Sequence, residues 1–171
     1  MTAAMTPAHD QPAEQGQAAI EFAIVFLLFF AMLWGILTFG FIFAAQNTLT
    51  LAAENGARAA LRYQQVTGAT GAAAEQLAIN LRIFAAQKEA TNTVQWLQAF
   101  TPAYDPAAYL TATSAACTYN ANLICFHVQI SYPYGQYPLI PPFPLFGLLA
   151  PTQLVGKATM QVDPGNLLPG G

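Results

Sequence analysis

Charge is what this sequence has least of. Five Lys and Arg and eight Asp and Glu are spread over 171 residues, a net charge of −3. No basic patch can be drawn from so few cations, so nucleic-acid binding lacks its electrostatic basis. Cysteine is nearly absent too, with only Cys117 and Cys125. No glycine-rich phosphate loop occurs, and Ser114 and Ser131 stand in no recognisable nucleophile context. His127 and Cys125 alternate on one predicted strand, but two ligands do not make a metal site. No cofactor, metal or catalytic residue is therefore expected, and no internal repeat is found. Low charge and 12 prolines would suit disorder, but 55% hydrophobic residues argue for a packed or lipid-embedded chain.

What the chain does have is a long apolar run. Phe22 to Ala45 is 24 residues without a formal charge. At about 1.5 Å per residue a helix of that length exceeds a hydrocarbon core of about 30 Å. A cleaved secretory signal fits poorly. The preceding residues hold His9, Asp10 and Glu14 but no Lys or Arg, the run is too long, and Ala44-Ala45 follows Phe43 rather than a small residue. The segment reads as a single-pass anchor with the lipid bilayer as its partner.

Downstream, residues 46–64 lack proline, and Leu49, Ala53, Ala57, Ala60 and Leu61 recur at helical spacing. One long helix over about 17–63 is expected, although Gly56 inside it costs about 1 kcal/mol relative to alanine. Thr67–Gly71 breaks it. A second helix at about 72–90 has the apolar stripe Leu77, Ala78, Leu81, Phe84 and Ala85. Glu75, Arg82 and Glu89, spaced by seven, mark its solvated stripe, which makes Arg82 a surface charge. Residues 91–108 fit helix and strand equally. The period then becomes two: 109–116 suits a strand, and Ile124–Tyr132 and Leu154–Val162 alternate apolar and polar residues. Each strand has one apolar face that the helices can cover. The expected fold class is α+β: a long N-terminal transmembrane helix, a second helix, and an antiparallel sheet of about three strands.

The expected organisation is a leader at 1–16, a long helix at 17–63 with its span at about 22–45, a domain at 64–165, and a disordered tail at 166–171. The stretch 137–151 is proline-rich yet apolar. Phe143, Leu145, Phe146, Leu148 and Leu149 either fold back on the sheet or form a sticky surface. Cys117 and Cys125 suit a hairpin tip; they form a disulfide if the domain lies outside the cytoplasm and two buried thiols otherwise.

One carboxylate, Glu21, stands at the start of the run. At a helix N-terminus it complements the positive end of the dipole, which alone would account for it. Its neighbours add more. Gly16, Gln17, Ala18, Ala19, Ile20, Glu21 and Phe22 resemble the processing site of type IV prepilin-like proteins. The resemblance narrows to the TadE-like pseudopilins of tight-adherence (Tad/Flp) systems through Glu21-Phe22, the long apolar helix, and the small-residue segment Ala52, Ala53, Gly56, Ala57, Arg58 and Ala60. A strand ending in Tyr-Pro, an apolar proline-rich stretch and the strand LVGKATMQV agree in order with that family.

The resemblance implies a pilin-like fold and a non-enzymatic minor pilin-like subunit. It would be cut by a prepilin peptidase between Gly16 and Gln17, so that Glu21 becomes the fifth mature residue. It would sit in the bacterial inner membrane with its C-terminal domain in the periplasm. There it would support the assembly of Flp-type adhesive pili, and so adhesion and biofilm formation, with other pilins, pseudopilins and the Tad inner-membrane machinery as partners. This leader lacks the Lys or Arg common in such leaders, and Arg58 and Arg62 favour the opposite topology by the positive-inside rule. A permanently anchored structural or binding domain, neither processed nor assembled, is the alternative; an enzyme in the C-terminal domain is short of polar candidates.

Overall fold

The computed structural model describes residues 13–141 and 149–168, with side chains from residue 16. Helix α1 runs Ala13–Leu61, α2 Ala72–Thr93 and α3 Gln95–Phe100; strands β1 Leu110–Cys117, β2 Asn120–Tyr132 and β3 Leu154–Val162 follow. The chain divides into two compact units, Met1–Thr38 and Phe39–Gly171.

In the first unit α1 presents large apolar side chains outward: Phe22 and Met32 are 70% and 69% exposed. That surface has no aqueous rationale. The helix is long and apolar enough to cross a membrane, which makes it a candidate membrane span. Phe22, Phe26, Phe30 and Trp34 recur every four residues and form a ladder with ring centroids 5.9, 6.2 and 5.7 Å apart. Thr38 donates its hydroxyl back to the Trp34 carbonyl at 2.8 Å, a bond that satisfies a hydroxyl within its own helix.

The second unit is a three-stranded antiparallel sheet in the order β1-β2-β3, with one face covered by helix. The pairing Ile130↔Gly156, Val128↔Ala158 and Phe126↔Met160 puts the apolar residues of β2 and β3 on the same face, as period-two alternation requires. Phe126, Val128, Ile130 and Tyr132 pack with Leu49, Ala53, Ala57 and Ala60 of α1 and Ala86 and Ala90 of α2 in one core. The opposite face carries Thr113, His127, Gln129, Lys157 and Thr159 and is exposed. Gly68 and Gly71 take positive φ (80° and 58°) in the loop that turns α1 into α2.

Two expectations are corrected, and the segment 91–108, which the sequence leaves open between helix and strand, is resolved. The buried face of α2 is Ala74, Ala78, Arg82, Ala86 and Ala90, whereas Phe84 is 64% exposed. Alanines are buried because α2 lies close against α1, where larger side chains would not fit. Residues 91–108 form α3 and a 3-10 turn, Pro106–Tyr109, and not a strand. The tail expected to be disordered from residue 166 is instead docked up to residue 168. Asp163 accepts the Gly165 amide at 2.9 Å and starts the turn Pro164–Asn166, and Leu167 is buried in the core. Phe143, Leu145, Phe146 and Leu148, left open between fold-back and a sticky surface, and residues 1–12 of the expected leader 1–16 lie outside the described residues, while residues 13–16 of that leader are the first of α1.

A tyrosine cluster closes one end of the core. Tyr104 and Tyr132 meet edge to face with centroids 4.7 Å apart. The Tyr104 hydroxyl donates to the Ser131 carbonyl at 2.9 Å, and that of Tyr132 to the Tyr137 carbonyl at 2.6 Å. Burial, then the neighbouring Tyr132 and Tyr109, push the Tyr104 phenol well above its ordinary value of 10.0, so it stays a neutral donor.

Candidate functional site

Two groups of residues singled out in the sequence fall on α1. At its beginning, Gly16, Gln17, Glu21 and Phe22 all lie in helix and are all exposed. Residues 17 and 21, four apart, share a helix face. A Cβ on Gly16 would meet nothing within 4 Å, so packing does not require glycine there. The single salt bridge among the described residues is Arg58–Glu54, so Glu21 has no ionic partner among them. Because α1 begins at Ala13, Glu21 lies two turns inside the helix and not at its N-terminus; a carboxylate placed just before the uncharged run is the feature of this unit that can answer an incoming positive charge.

In its last turns α1 presents Ala52, Ala53, Gly56, Ala57 and Ala60, all buried. Here the small residues have a steric cause. A Cβ on Gly56 would come within 2.8 Å of the Ala86 carbonyl oxygen, 3.1 Å of the Ala90 Cβ and 3.3 Å of a Val128 methyl. Gly56 is thus where α1, α2 and β2 meet. The cost of glycine inside a helix is offset by the close approach it allows. Arg58 does not join this packing; it is solvent-exposed and 3.5 Å from Glu54 one turn earlier. Such an exposed pair stabilises by about 0.3–0.5 kcal/mol.

Arg82, read from its spacing as a surface charge, is 1% exposed. Its Nη1 donates to the Ala60 carbonyl at 2.9 Å and its Nη2 to the Asn166 carbonyl at 3.0 Å. Ala60 belongs to the last turn of α1, whose carbonyls have no helical partner and carry the negative end of the dipole. The guanidinium therefore caps α1 and ties it to the C-terminal segment. Its Nε finds no acceptor among the described residues, and burial lowers its pKa from the ordinary value. Nothing in the spacing of α2 signals this role; an unaccompanied arginine among alanines is the only trace of it.

Cys117 and Cys125 are joined by a disulfide. In register Cys117 faces Asn120 across the β1–β2 hairpin, and the ladder shifts between Ala116 and Cys117, so the bridge spans an irregular tip. With Cys125 so engaged, His127 has no cysteine neighbour for a metal; its Nδ1 lies 2.9 Å from the Thr159 hydroxyl. Among the described residues no three His, Cys, Asp or Glu side chains gather where a metal ion could be held.

A long uncharged apolar helix segment with a carboxylate just before it, and a small-residue segment of the same helix packed in an α+β core, define an α+β protein with one candidate membrane span. The family model described as TadE-like protein matches residues 16–58 of this chain. The match begins at Gly16 and ends at Arg58, so it contains both groups of α1 residues except Ala60, and the TadE-like resemblance holds over that segment. No curated protein and no solved structure matches the chain.

Proposed function

We propose that this chain is a Tad-pilus-associated pseudopilin: a non-enzymatic, single-pass inner-membrane subunit with its domain in the periplasm. In this reading it supports the assembly of Flp-type adhesive pili by the Tad machinery, and through them attachment and biofilm formation. The observation that carries the reading is the TadE-like match, which opens at Gly16, the residue whose following bond a prepilin peptidase would cut.

The chemistry is electrostatic. Cleavage after Gly16 leaves an α-amine on Gln17, with a pKa of about 7.7–8.0 in model peptides. An amine at the positive end of a helix dipole is disfavoured there. The Glu21 carboxylate, one turn on, can neutralise it within the chain, or can meet the amine of a neighbouring subunit that has come into register. A subunit out of register leaves both charges unpaired in apolar surroundings, which is costly. Glu21 would thus set register and perform no catalysis. The small-residue face complements the carboxylate, since it carries the apolar helix into the domain core without a linker.

The test is the mature N-terminus. Mass spectrometry of the chain purified from a host with the matching prepilin peptidase should find Gln17 first. An intact leader in that host reduces the protein to an anchored domain that is not processed.

A further inference from the structure

The short helix α3, QWLQAF, has one side chain in the core, Leu97, which is fully buried. Its two aromatic residues are placed differently. Trp96 is half-buried and Phe100 is 54% exposed. Trp96 and Phe100 meet edge to face with centroids 5.8 Å apart, and Phe100 in turn packs edge to face on Phe41 of α1 at 5.9 Å. Phe41 belongs to the uncharged run 22–45 and stands four residues before its end, about 6 Å along the helix axis. A run of that length overshoots the hydrocarbon core, so its last turns lie at the boundary between acyl chains and headgroups. Whatever touches Phe41 is held at that depth.

The composition of α3 fits the same place. No Lys, Arg, Asp or Glu occurs between Glu89 and Asp105, so lowering α3 to the membrane surface desolvates no formal charge. Gln95, exposed, gives it a polar side chain that headgroups and water can reach, while Gln98 Nε2 is satisfied within the domain by the Tyr104 carbonyl at 3.2 Å. Tryptophan, with an apolar ring system and one N–H, is favoured at this level of a bilayer. Phe39 and Phe43, half a turn before and after Phe41 and so on the other side of α1, are 42% and 68% exposed, so the helix presents apolar surface to its surroundings at the same level.

We propose that α3 is a membrane-interface contact: Trp96 and Phe100 are covered by lipid at the headgroup–acyl boundary, and the domain rests on the bilayer through them. The proposal rests on α1 being a membrane span, and the two tryptophans of the chain allow the two claims to be separated. The full-length protein is reconstituted in phosphatidylcholine vesicles as Trp34→Phe, which leaves Trp96 as the reporter, and as Trp96→Phe, which leaves Trp34. Both keep a ring at the changed position. Quenching is compared for lipid brominated near the headgroup, lipid brominated near the acyl-chain end, and aqueous iodide.

Trp34, in the middle of the run, should lose most emission to the deep bromines. Trp96 should lose most to the shallow ones, with blue-shifted emission and little iodide quenching. Strong iodide quenching of Trp96 with no effect of brominated lipid overturns the proposal, as does shielding from all three quenchers, which would mean that protein covers α3. Trp34 that escapes the deep bromines overturns the span and the interface contact together.

Discussion

Gly156 on β3 lies directly against the backbone of Leu49 on α1. A Cβ at residue 156 would collide with the Leu49 carbonyl group and the Thr50 nitrogen. Beside it, Gln46 Nε2 donates to the Val155 carbonyl at 2.9 Å, which pins the helix across the strand at that point. The helix rests on the sheet at backbone distance because one residue of the strand has no side chain. Gly156→Ala should therefore be destabilising by about 1–3 kcal/mol, since backbone rather than a flexible side chain must move. Gly135→Ala is the control: its added Cβ would sit 3.5 Å from the Thr152 carbonyl oxygen, an ordinary contact, and the change should stay within about 0.5 kcal/mol. Thermal unfolding of the full-length protein in detergent, followed by circular dichroism, measures both. Equal midpoints for the two variants would contradict the close crossing.

Arg82 gives the second prediction. Arg82→Ala removes both bonds to the carbonyls of Ala60 and Asn166; it leaves the Ala60 acceptor buried without its partner, whereas Asn166 is exposed and its carbonyl can turn to water. The expected loss is about 1–3 kcal/mol, the cost of the one carbonyl left buried and unsatisfied. Arg82→Met keeps the volume and removes the cost of burying a cation, so it should lose less than alanine. Arg82→Lys should also lose stability, because one ammonium cannot reproduce the planar fork that reaches two acceptors. A true surface arginine would show changes within about 0.5 kcal/mol in the same melts.

This residue also marks the limit of what is legible in the sequence. The alternation of Ile124, Phe126, Val128, Ile130 and Tyr132 against His127 and Gln129 reveals β2 and its inner face without ambiguity, because period two assigns a side to every residue. The long apolar helix is equally plain. The face of α2 is not. Glu75, Arg82 and Glu89 do share a stripe, but the end of α1 and the docked residues 164–168 come over its middle, a tertiary event that helical periodicity does not record. Phe84 departs from its stripe for the converse reason: the close α1–α2 packing around Gly56 selects alanines and leaves the large ring outside. The segment 52–58 is recognisable by its resemblance, and only the geometry supplies the reason for its small residues.

The disulfide provides a third prediction, which bears on location. It closes a short loop, with a sequence separation of 8. Loop-closure entropy for such a loop corresponds to about 2–3 kcal/mol of stability. Reductant should lower the unfolding midpoint by a matching amount, and the double variant Cys117→Ser, Cys125→Ser should show the lower midpoint without reductant. In cells, a periplasmic domain should resist a thiol-reactive maleimide until it is reduced, because structural disulfides persist in oxidising compartments. Two thiols that label at once would place the domain on the cytoplasmic side, the orientation that Arg58 and Arg62 favour.

Glu21 gives the prediction that reaches furthest into function. The side chain is exposed and takes no part in the domain, which begins at Phe39. Glu21→Gln should therefore leave the unfolding midpoint, the disulfide and cleavage after Gly16 unchanged. What it removes is the charge that meets the Gln17 amine. Breaking an ion pair in apolar surroundings costs about 3–5 kcal/mol, and about 1.4 kcal/mol is already a factor of ten in an equilibrium. Recovery of surface pili from a strain carrying the variant should fall at least about tenfold. Glu21→Asp, which keeps the charge but shortens the reach, should retain part of the yield. Because folding and processing are scored in the same cells, a loss of pili with both intact assigns the carboxylate to subunit register. Wild-type piliation in Glu21→Gln would leave the helix-dipole contribution as the whole account of that residue.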